Sequence, residues 1–194
     1  PFTFLDHALR PGDSLLGITR REQVEHFDFE PAGGQQMQIV TRFVGPALEK
    51  AIAKRRELES FPVLDITDAE RKAALLAEAE AALDNLRAVA DLLVACSLAS
   101  RRKGVDRDAL YDGARMKVAE ALDERLDTLA RREKVEALRR HAQELLDEGL
   151  PPGQPRRRPF HWPLEFPEAF ESREGHKGGL DAIERTVGIS LANH

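Results

Sequence analysis

Residues 160–170 read Phe-His-Trp-Pro-Leu-Glu-Phe-Pro-Glu-Ala-Phe and decide how the rest of the chain is interpreted. They hold the only tryptophan and four aromatic rings, in a 194-residue chain with 6% aromatic residues. Proline cannot donate the hydrogen bond that a helix interior needs, and it disfavours helical backbone in the residue before it. Pro163 and Pro167 therefore predict an extended segment, a buried or edge strand. Trp162, Phe166 and Phe170 are expected to be largely buried against the body of the chain, or to lie against a surface that a missing domain would cover.

Two other short motifs accompany this stretch. Near the amino terminus, residues 4–17 read Phe-Leu-Asp-His-Ala-Leu-Arg-Pro-Gly-Asp-Ser-Leu-Leu-Gly. Residues 10–13 have turn chemistry and lie between the apolar runs 2–5 and 14–18, which predicts strand, turn and strand over residues 1–18. Near the carboxyl terminus, residues 179–183 read Gly-Leu-Asp-Ala-Ile.

The middle of the chain has the period of helices. Apolar residues recur every three or four positions from Gln35 to about Phe61, and Pro46 predicts a kink or a division there. Thr67 and Glu70 have capping-box spacing and predict the start of the longest helix, which runs to about Ala99. Its seam is heptad-like and comprises Leu76, Ala79, Leu83, Leu86, Ala90 and Leu93.

Three shorter helices are expected after the Arg-Arg-Lys-Gly sequence of residues 101–104, which we interpret as a helix end. The first covers residues 106–111, the second 122–129 and the third 135–145, with a turn near residues 131–134. A linker rich in proline follows over residues 149–159 and contains Arg156, Arg157 and Arg158. These arginines are candidates for contact with DNA phosphates, although linkers commonly carry such charges without a ligand.

Composition limits the possible functions. The net charge is −5, so any contact with nucleic acid must be local. Cys96, the single cysteine, is interpreted as a small buried hydrophobe, with a reactive thiol as the alternative. His7 and His26 have no second or third metal-binding residue at helical spacing in the sequence, so no metal ligands are predicted. The sequence has no run of membrane-spanning length, and a cytoplasmic protein that does not contact the membrane is expected.

The three motifs together resemble the large adenine-specific DNA methyltransferases of type II restriction–modification enzymes and of phage-defence systems such as BREX and DISARM. In that family, a sequence like residues 160–167 is followed by one like residues 179–183 and then by the catalytic Asn-Pro-Pro-Tyr. The match covers Phe4–Gly17 and Phe160–Ile183, and the region between them is similar only in being a long helical insertion.

The resemblance implies methyl transfer from S-adenosylmethionine to adenine N6 of DNA, with the target base flipped out of the duplex. It also implies that Asp13 lies beside the adenine of the cofactor, where a carboxylate accepts a hydrogen bond from an amino group. The alternative is that Asp13 only supports its own turn, and the residues do not decide between the two.

We therefore predict a mainly α chain, a long helical insertion flanked by short strands of an incomplete Rossmann-like methyltransferase α/β sheet. Residues 1–18 belong to that sheet, 19–34 form a loop with at most a helical turn, and 35–148 form the insertion. Residues 149–159 form the linker, 160–183 the strand-bearing segment and 184–194 a divergent tail. The two ends are expected to lie side by side.

The chain lacks the catalytic groups of the family it resembles. Glu184, Arg185 and Thr186 stand where Asn-Pro-Pro is expected, and no glycine-rich cofactor loop is present. No catalytic residue is assigned, and the chain is expected to be a fragment that neither binds S-adenosylmethionine tightly nor methylates DNA alone. Its partners would be DNA and the rest of the methyltransferase polypeptide. The competing hypothesis is a non-enzymatic interaction module that pairs through an exposed Leu76–Leu93 seam.

Overall fold

The fold is known from a computed structural model, which describes residues 11–30, 38–60 and 66–167. These residues form six helices: α1 (Arg21–His26), α2 (Gln38–Ser60), α3 (Ile66–Ala99), α4 (Arg107–Ala121), α5 (Thr128–Asp147) and α6 (Trp162–Glu165). The prediction of a mainly α chain is confirmed. Among the described helices, none is both long enough and apolar enough to span a bilayer.

Helix α3 is the centre of the fold and packs mainly against α2 and α5. Five of its six predicted seam residues are buried, and the partly buried Leu76 lies near the helix start. From Ala88 to Cys96 every residue except Asp91 is buried, because other helices cover this end of α3 from several sides. The predicted end of α3 at Ala99 is confirmed. Its start is at Ile66, so Thr67 lies inside the helix and not before it.

Helix α2 is continuous through Pro46, which removes the two-helix alternative. Its buried face includes Val40, Val44, Leu48 and Ala51, at helical spacing. The loop predicted over residues 19–34 contains α1 as its short helical turn.

The predicted boundaries after α3 are wrong in two places. The helix expected over residues 106–111 continues to Ala121, because Tyr111, Ala114, Val118 and Leu122 form one buried stripe. Leu122 caps the end of α4, so the separate helix expected over residues 122–129 does not form.

Helix α5 begins earlier than predicted. The carboxylate of Asp127 accepts a hydrogen bond from the Ala130 amide and caps the helix start. The helix then continues through residues 131–134, where a turn was predicted. Asp106 caps α4 in the same way, accepting from the amides of Asp108 and Ala109.

The two described ends of the chain lie side by side, as predicted. Asp13 and Pro159 form an isolated parallel bridge, and the Asp13 amide donates to the Arg158 carbonyl at 2.8 Å. The Phe160 amide donates to the Leu16 carbonyl at 2.7 Å, and the Trp162 amide to the Ile18 carbonyl at 3.1 Å. Residues 2–5 and 179–183, for which adjacent strands were predicted, lie outside the described residues.

Strand formation was overestimated within the described residues, where the bridge is isolated and no strand forms. Residues 13–16 form a turn, closed by a hydrogen bond from the Leu16 amide to the Asp13 carbonyl. Residues 162–165 form the single helical turn α6, with Pro163 in its first turn. Proline is acceptable there because first-turn amides have no partner within the helix.

Candidate functional site

The candidate site is the junction of the two ends, residues 12–18 and 158–166, on the surface of α3. Phe160 is buried at its centre, and two glycines fit against it. A Cβ atom on Gly17 would lie 1.9 Å from the Phe160 carbonyl oxygen, so only glycine allows the two backbones to approach this closely. A Cβ atom on Gly12 would lie 2.9 Å from Cδ2 of the Phe160 ring. The glycines of one motif therefore fit the phenylalanine of the other.

Asp13 occupies the exposed turn of this junction. Its Oδ1 accepts a hydrogen bond from the Leu15 amide at 3.0 Å, and its backbone is fixed by the contacts with Arg158 and Leu16. Asp13 therefore does support its own turn. Oδ2 accepts no hydrogen bond from the described residues and faces no competing partner among them. One carboxylate oxygen of Asp13 thus holds the turn.

The rings of residues 160–166 form a cluster beside this turn. Phe160 and Trp162 meet edge to face with centroids 4.9 Å apart, and Phe166 lies 6.1 Å from Phe160. The Trp162 indole donates weakly to the Ser14 carbonyl at 3.4 Å. Phe160 is buried, and Trp162 and Phe166 are of intermediate burial, with most of each residue's surface covered. Phe170 lies outside the described residues.

His161 joins the junction to α3. The ring is 2% exposed, its Nδ1 accepts from the Ile18 amide at 3.4 Å, and its Nε2 lies 3.0 Å from Oδ1 of Asp91. Because the Ile18 amide can only donate, Nδ1 carries no hydrogen and Nε2 donates to Asp91. Both ring nitrogens are engaged and closed to solvent. His161 therefore connects the junction to α3 through both of its ring nitrogens.

A second polar contact between the junction and α3 lies one helical turn from Asp91. The Arg87 guanidinium forms a paired contact with the Glu165 carboxylate, through Nε at 2.9 Å and Nη2 at 3.2 Å. Nη2 also donates to Glu80 at 2.6 Å. Burial lowers the pKa of Arg87, but the hydrogen bonds and charges of Glu165 and Glu80 outweigh it and leave the pKa above its ordinary value. The guanidinium stays charged and holds α6 against α3.

The three candidate arginines of the linker have different environments. Arg156 pairs with Asp147 at 2.9 Å, and the Arg157 side chain donates to the Leu146 carbonyl at the end of α5. Arg157 therefore caps α5 and complements its negative end, whereas Arg156 pairs with the side chain of Asp147. Arg158 is exposed, and its side chain has no partner among the described residues. The structure brings none of them into a common site with Asp13, apart from the backbone contact of Arg158.

Cys96 is buried in the core beside α4, and burial raises the pKa of its thiol to about 12. Burial and a raised pKa both favour the interpretation of Cys96 as a small buried hydrophobe. The described ranges contain no group of three or more His, Cys, Asp or Glu side chains arranged to hold a metal ion.

No protein-family model, curated protein or solved structure matches this chain. Any function must therefore be inferred from the residues and their arrangement.

Sequence reasoning did not identify the His161–Asp91 and Arg87–Glu165 contacts. The partners are 70 and 78 residues apart, a separation at which no periodicity connects them. The sequence did contain one indication of these contacts, which is a matching spacing. Arg87 and Asp91 are four residues apart, and so are His161 and Glu165.

Proposed function

We propose that this chain is part of an S-adenosylmethionine-dependent DNA methyltransferase that acts on adenine N6, of the restriction–modification or phage-defence kind. Its helices α2 to α5 would be an insertion between two pieces of a Rossmann-like sheet. One piece would carry the turn beside the cofactor's adenine, and the other would lead to the Asn-Pro-Pro-Tyr motif.

The observation that carries the proposal is the fit of Gly12 and Gly17 around Phe160. These residues come from the two motifs on which the resemblance rests, yet 143 positions separate Gly17 from Phe160 (160 minus 17). A junction built from both motifs is what one methyltransferase domain interrupted by an insertion requires. It is not what two unrelated loops at the ends of a helical bundle require.

In this proposal Asp13 binds the adenine of S-adenosylmethionine. Oδ1 keeps the turn in place, and Oδ2 accepts a hydrogen bond from the adenine amino group. A single hydrogen bond of this kind contributes about 0.5–1.5 kcal/mol, whereas micromolar affinity requires about 8 kcal/mol. The remaining affinity and all of the methyl-transfer chemistry must come from the rest of the polypeptide.

The competing hypothesis, a helical interaction module, depends on the seam of α3. Ala79, Leu83, Leu86, Ala90 and Leu93 are buried between α2 and α5 within this chain. A partner helix cannot reach them without unfolding the bundle. An interaction function would therefore need a surface other than the Leu76–Leu93 seam on which this hypothesis was based.

The test begins with the coding DNA on both sides of this segment. A glycine-rich loop upstream and Asn-Pro-Pro-Tyr downstream are expected, and the complete reading frame should transfer labelled methyl groups to adenine in unmethylated DNA. Asp13→Asn keeps the oxygen that holds the turn and replaces the other oxygen by a donor. It should raise the Kd for S-adenosylmethionine about two- to tenfold.

Asp112→Asn is the matched control, because Asp112 is an exposed aspartate on α4, distant from the junction in sequence. It should leave the Kd unchanged. The proposal is refuted if the complete reading frame places no label in adenine. Equal Kd values for the wild type and Asp13→Asn would remove only the role of Asp13.

A further inference from the structure

Two short segments of this acidic chain are strongly basic. Residues 100–104 contain three cations, and residues 147–158 contain three cations and two carboxylates. Together the two segments carry +4 (six minus two), whereas the whole chain carries −5. The remaining residues therefore carry −9 (−5 minus 4). More than forty positions separate the two segments, so the sequence alone does not show that they belong together.

The side chain of Arg102 joins the two segments. Its Nη2 donates to the carbonyls of Leu145 at 3.1 Å and Glu148 at 3.0 Å, and its guanidinium pairs with the Glu148 carboxylate. Nη1 of Arg157 donates to the same Glu148 carbonyl at 3.5 Å. The two donor nitrogens are therefore at most 6.5 Å apart (3.0 plus 3.5). Both segments meet at the carboxyl end of α5, in a surface that we call the basic end.

The carboxylates of the basic end neutralise only two of its cations. Glu148 pairs with Arg102, and Asp147 pairs with Arg156 at 2.9 Å. The Arg157 side chain donates to backbone carbonyls, which fix a guanidinium in position but do not neutralise its charge.

Three cations of the basic end are exposed and unpaired. The side chains of Arg101, Lys103 and Arg158 form no hydrogen bond or ion pair with the described residues. The carboxylates that flank the two segments have other partners, because Asp106 accepts two amide hydrogen bonds at the start of α4 and Glu144 interacts with His141. The paired arginines hold the two segments together, and the unpaired cations remain available to a ligand.

The arrangement of these cations fits a polyanion. Exposed cations spread over two segments bind a single small anion weakly, because each contact competes with water. A polyanion contacts several of them at once and releases its condensed counterions. Residues 100–104 and 147–158 contain no aromatic residue and no exposed large apolar side chain, whereas binding to a membrane surface uses such side chains. Nucleic acid is therefore favoured over a lipid surface.

We propose that the basic end contacts the phosphate backbone of duplex DNA, through Arg101, Lys103 and Arg158. This inference rests on the proposed methyltransferase function, which makes duplex DNA the polyanion that the chain meets. Phosphate contacts position a protein on DNA and carry no sequence information. The helical insertion would therefore hold the duplex in place, while the rest of the polypeptide reads the sequence and modifies the base.

The proposal is tested by fluorescence anisotropy of two labelled DNA duplexes of unrelated sequence, titrated with the chain at several salt concentrations. Equal affinity for both duplexes is expected. The logarithm of the binding constant should fall with the logarithm of the salt concentration with a slope of about −3, since each phosphate contact contributes about −0.9. No binding at low salt overturns the proposal, and so does a difference in affinity between the duplexes that persists in the variant described next.

A triple variant with Arg101→Gln, Lys103→Gln and Arg158→Gln should lose most of this slope, about one unit for each contact. The matched control carries Lys50→Gln, Lys117→Gln and Arg132→Gln, at exposed cations of α2, α4 and the first part of α5. Both variants change the net charge equally, so only a local contact makes them differ. An equal slope in the two variants overturns the proposal.

The methylation assay on the complete reading frame separates this inference from the function on which it rests. Label in adenine together with an unchanged slope in the first triple variant would overturn the basic end as a DNA surface and leave the methyltransferase assignment intact. A slope that is lost only in the first triple variant supports the DNA surface, even if no label enters adenine and the methyltransferase assignment fails.

Discussion

Replacing Gly17 by alanine should separate the two ends of the chain. The new Cβ atom would lie 1.9 Å from the Phe160 carbonyl oxygen, which belongs to the backbone and cannot rotate away. Relief of this overlap requires residues 16–18 and 160–162 to move apart. The movement breaks the hydrogen bonds from Phe160 to Leu16 and from Trp162 to Ile18, together with the contact of Ile18 with the His161 ring.

The expected cost follows from these losses. Three hydrogen bonds at about 0.5–1.5 kcal/mol each amount to about 1.5–4.5 kcal/mol. Partial exposure of Phe160 adds about 1–2 kcal/mol. Since a domain of this size is stable by about 5–15 kcal/mol, the junction should open while the helical bundle stays folded.

The assay uses Trp162, the only tryptophan, as a local probe and circular dichroism as a probe of the helices. In Gly17→Ala the tryptophan emission should shift to the red. Alternatively, the unfolding transition followed by this emission should occur at a lower denaturant concentration than the transition followed by the helical signal. Gly113→Ala is the matched control, because Gly113 lies inside α4 with open space around it. That variant should gain about 0.5–1 kcal/mol from helix propensity. A Gly17→Ala protein with wild-type emission and stability would show that the two backbones are not in contact.

Three further results are expected. Arg87→Gln leaves the Glu165 carboxylate without its main partner and should lower the free energy of unfolding by about 1–3 kcal/mol, against about 0–1 kcal/mol for Lys134→Gln at an exposed ion pair. In a Glu80→Gln background, which removes the second carboxylate that binds Arg87, an Arg87→Glu, Glu165→Arg exchange should be more stable in denaturant titrations than Arg87→Glu alone. Equal stability would exclude a direct pair. Cys96 should resist alkylation in the folded chain, and stability should fall as pH rises from about 8.5 towards 12, because the unfolded thiol loses its proton first. Rapid alkylation at neutral pH would contradict the burial of this thiol. Calorimetry should detect no micromolar binding of S-adenosylmethionine to this chain alone, and no labelled methyl group should enter DNA; either signal would mean that the site is complete here.

The sequence predicted the parts of the fold that local rules control. The end of α3 at Ala99 followed from the basic residues and Gly104 beyond it, and the burial of its second half followed from its apolar residues. The boundary between α4 and α5 was missed, because the leucines of residues 122–129 suggested a helix of their own. In the structure Leu122 completes the stripe of α4, while Asp127 starts α5.

The candidate site was predicted less completely. The turn at Asp13 and the packing of the two ends followed from the motifs, but the conformation of residues 162–165 did not. Pro163 was taken as evidence against a helix, although its place in the first turn of α6 makes it compatible with one. The contacts of His161 and Glu165 with α3 depend on tertiary packing, which local rules do not contain.

The two polar contacts with α3 also explain why residues 160–166 bind to α3 in a single orientation. His161 and Glu165 meet Asp91 and Arg87 respectively, so the segment lies antiparallel to α3 with each polar side chain opposite a complementary one. In the reversed orientation Glu165 would lie beside Asp91, so that two carboxylates would meet. His161 would lie beside Arg87, so that two hydrogen-bond donors would meet. Apolar burial of Phe160 and Leu164 does not distinguish these orientations, because it is non-directional. We infer that the polar contacts set orientation and register while the apolar residues supply most of the stability. The charge exchange at residues 87 and 165 tests this inference, because only a direct, oriented pair allows the exchanged charges to restore stability.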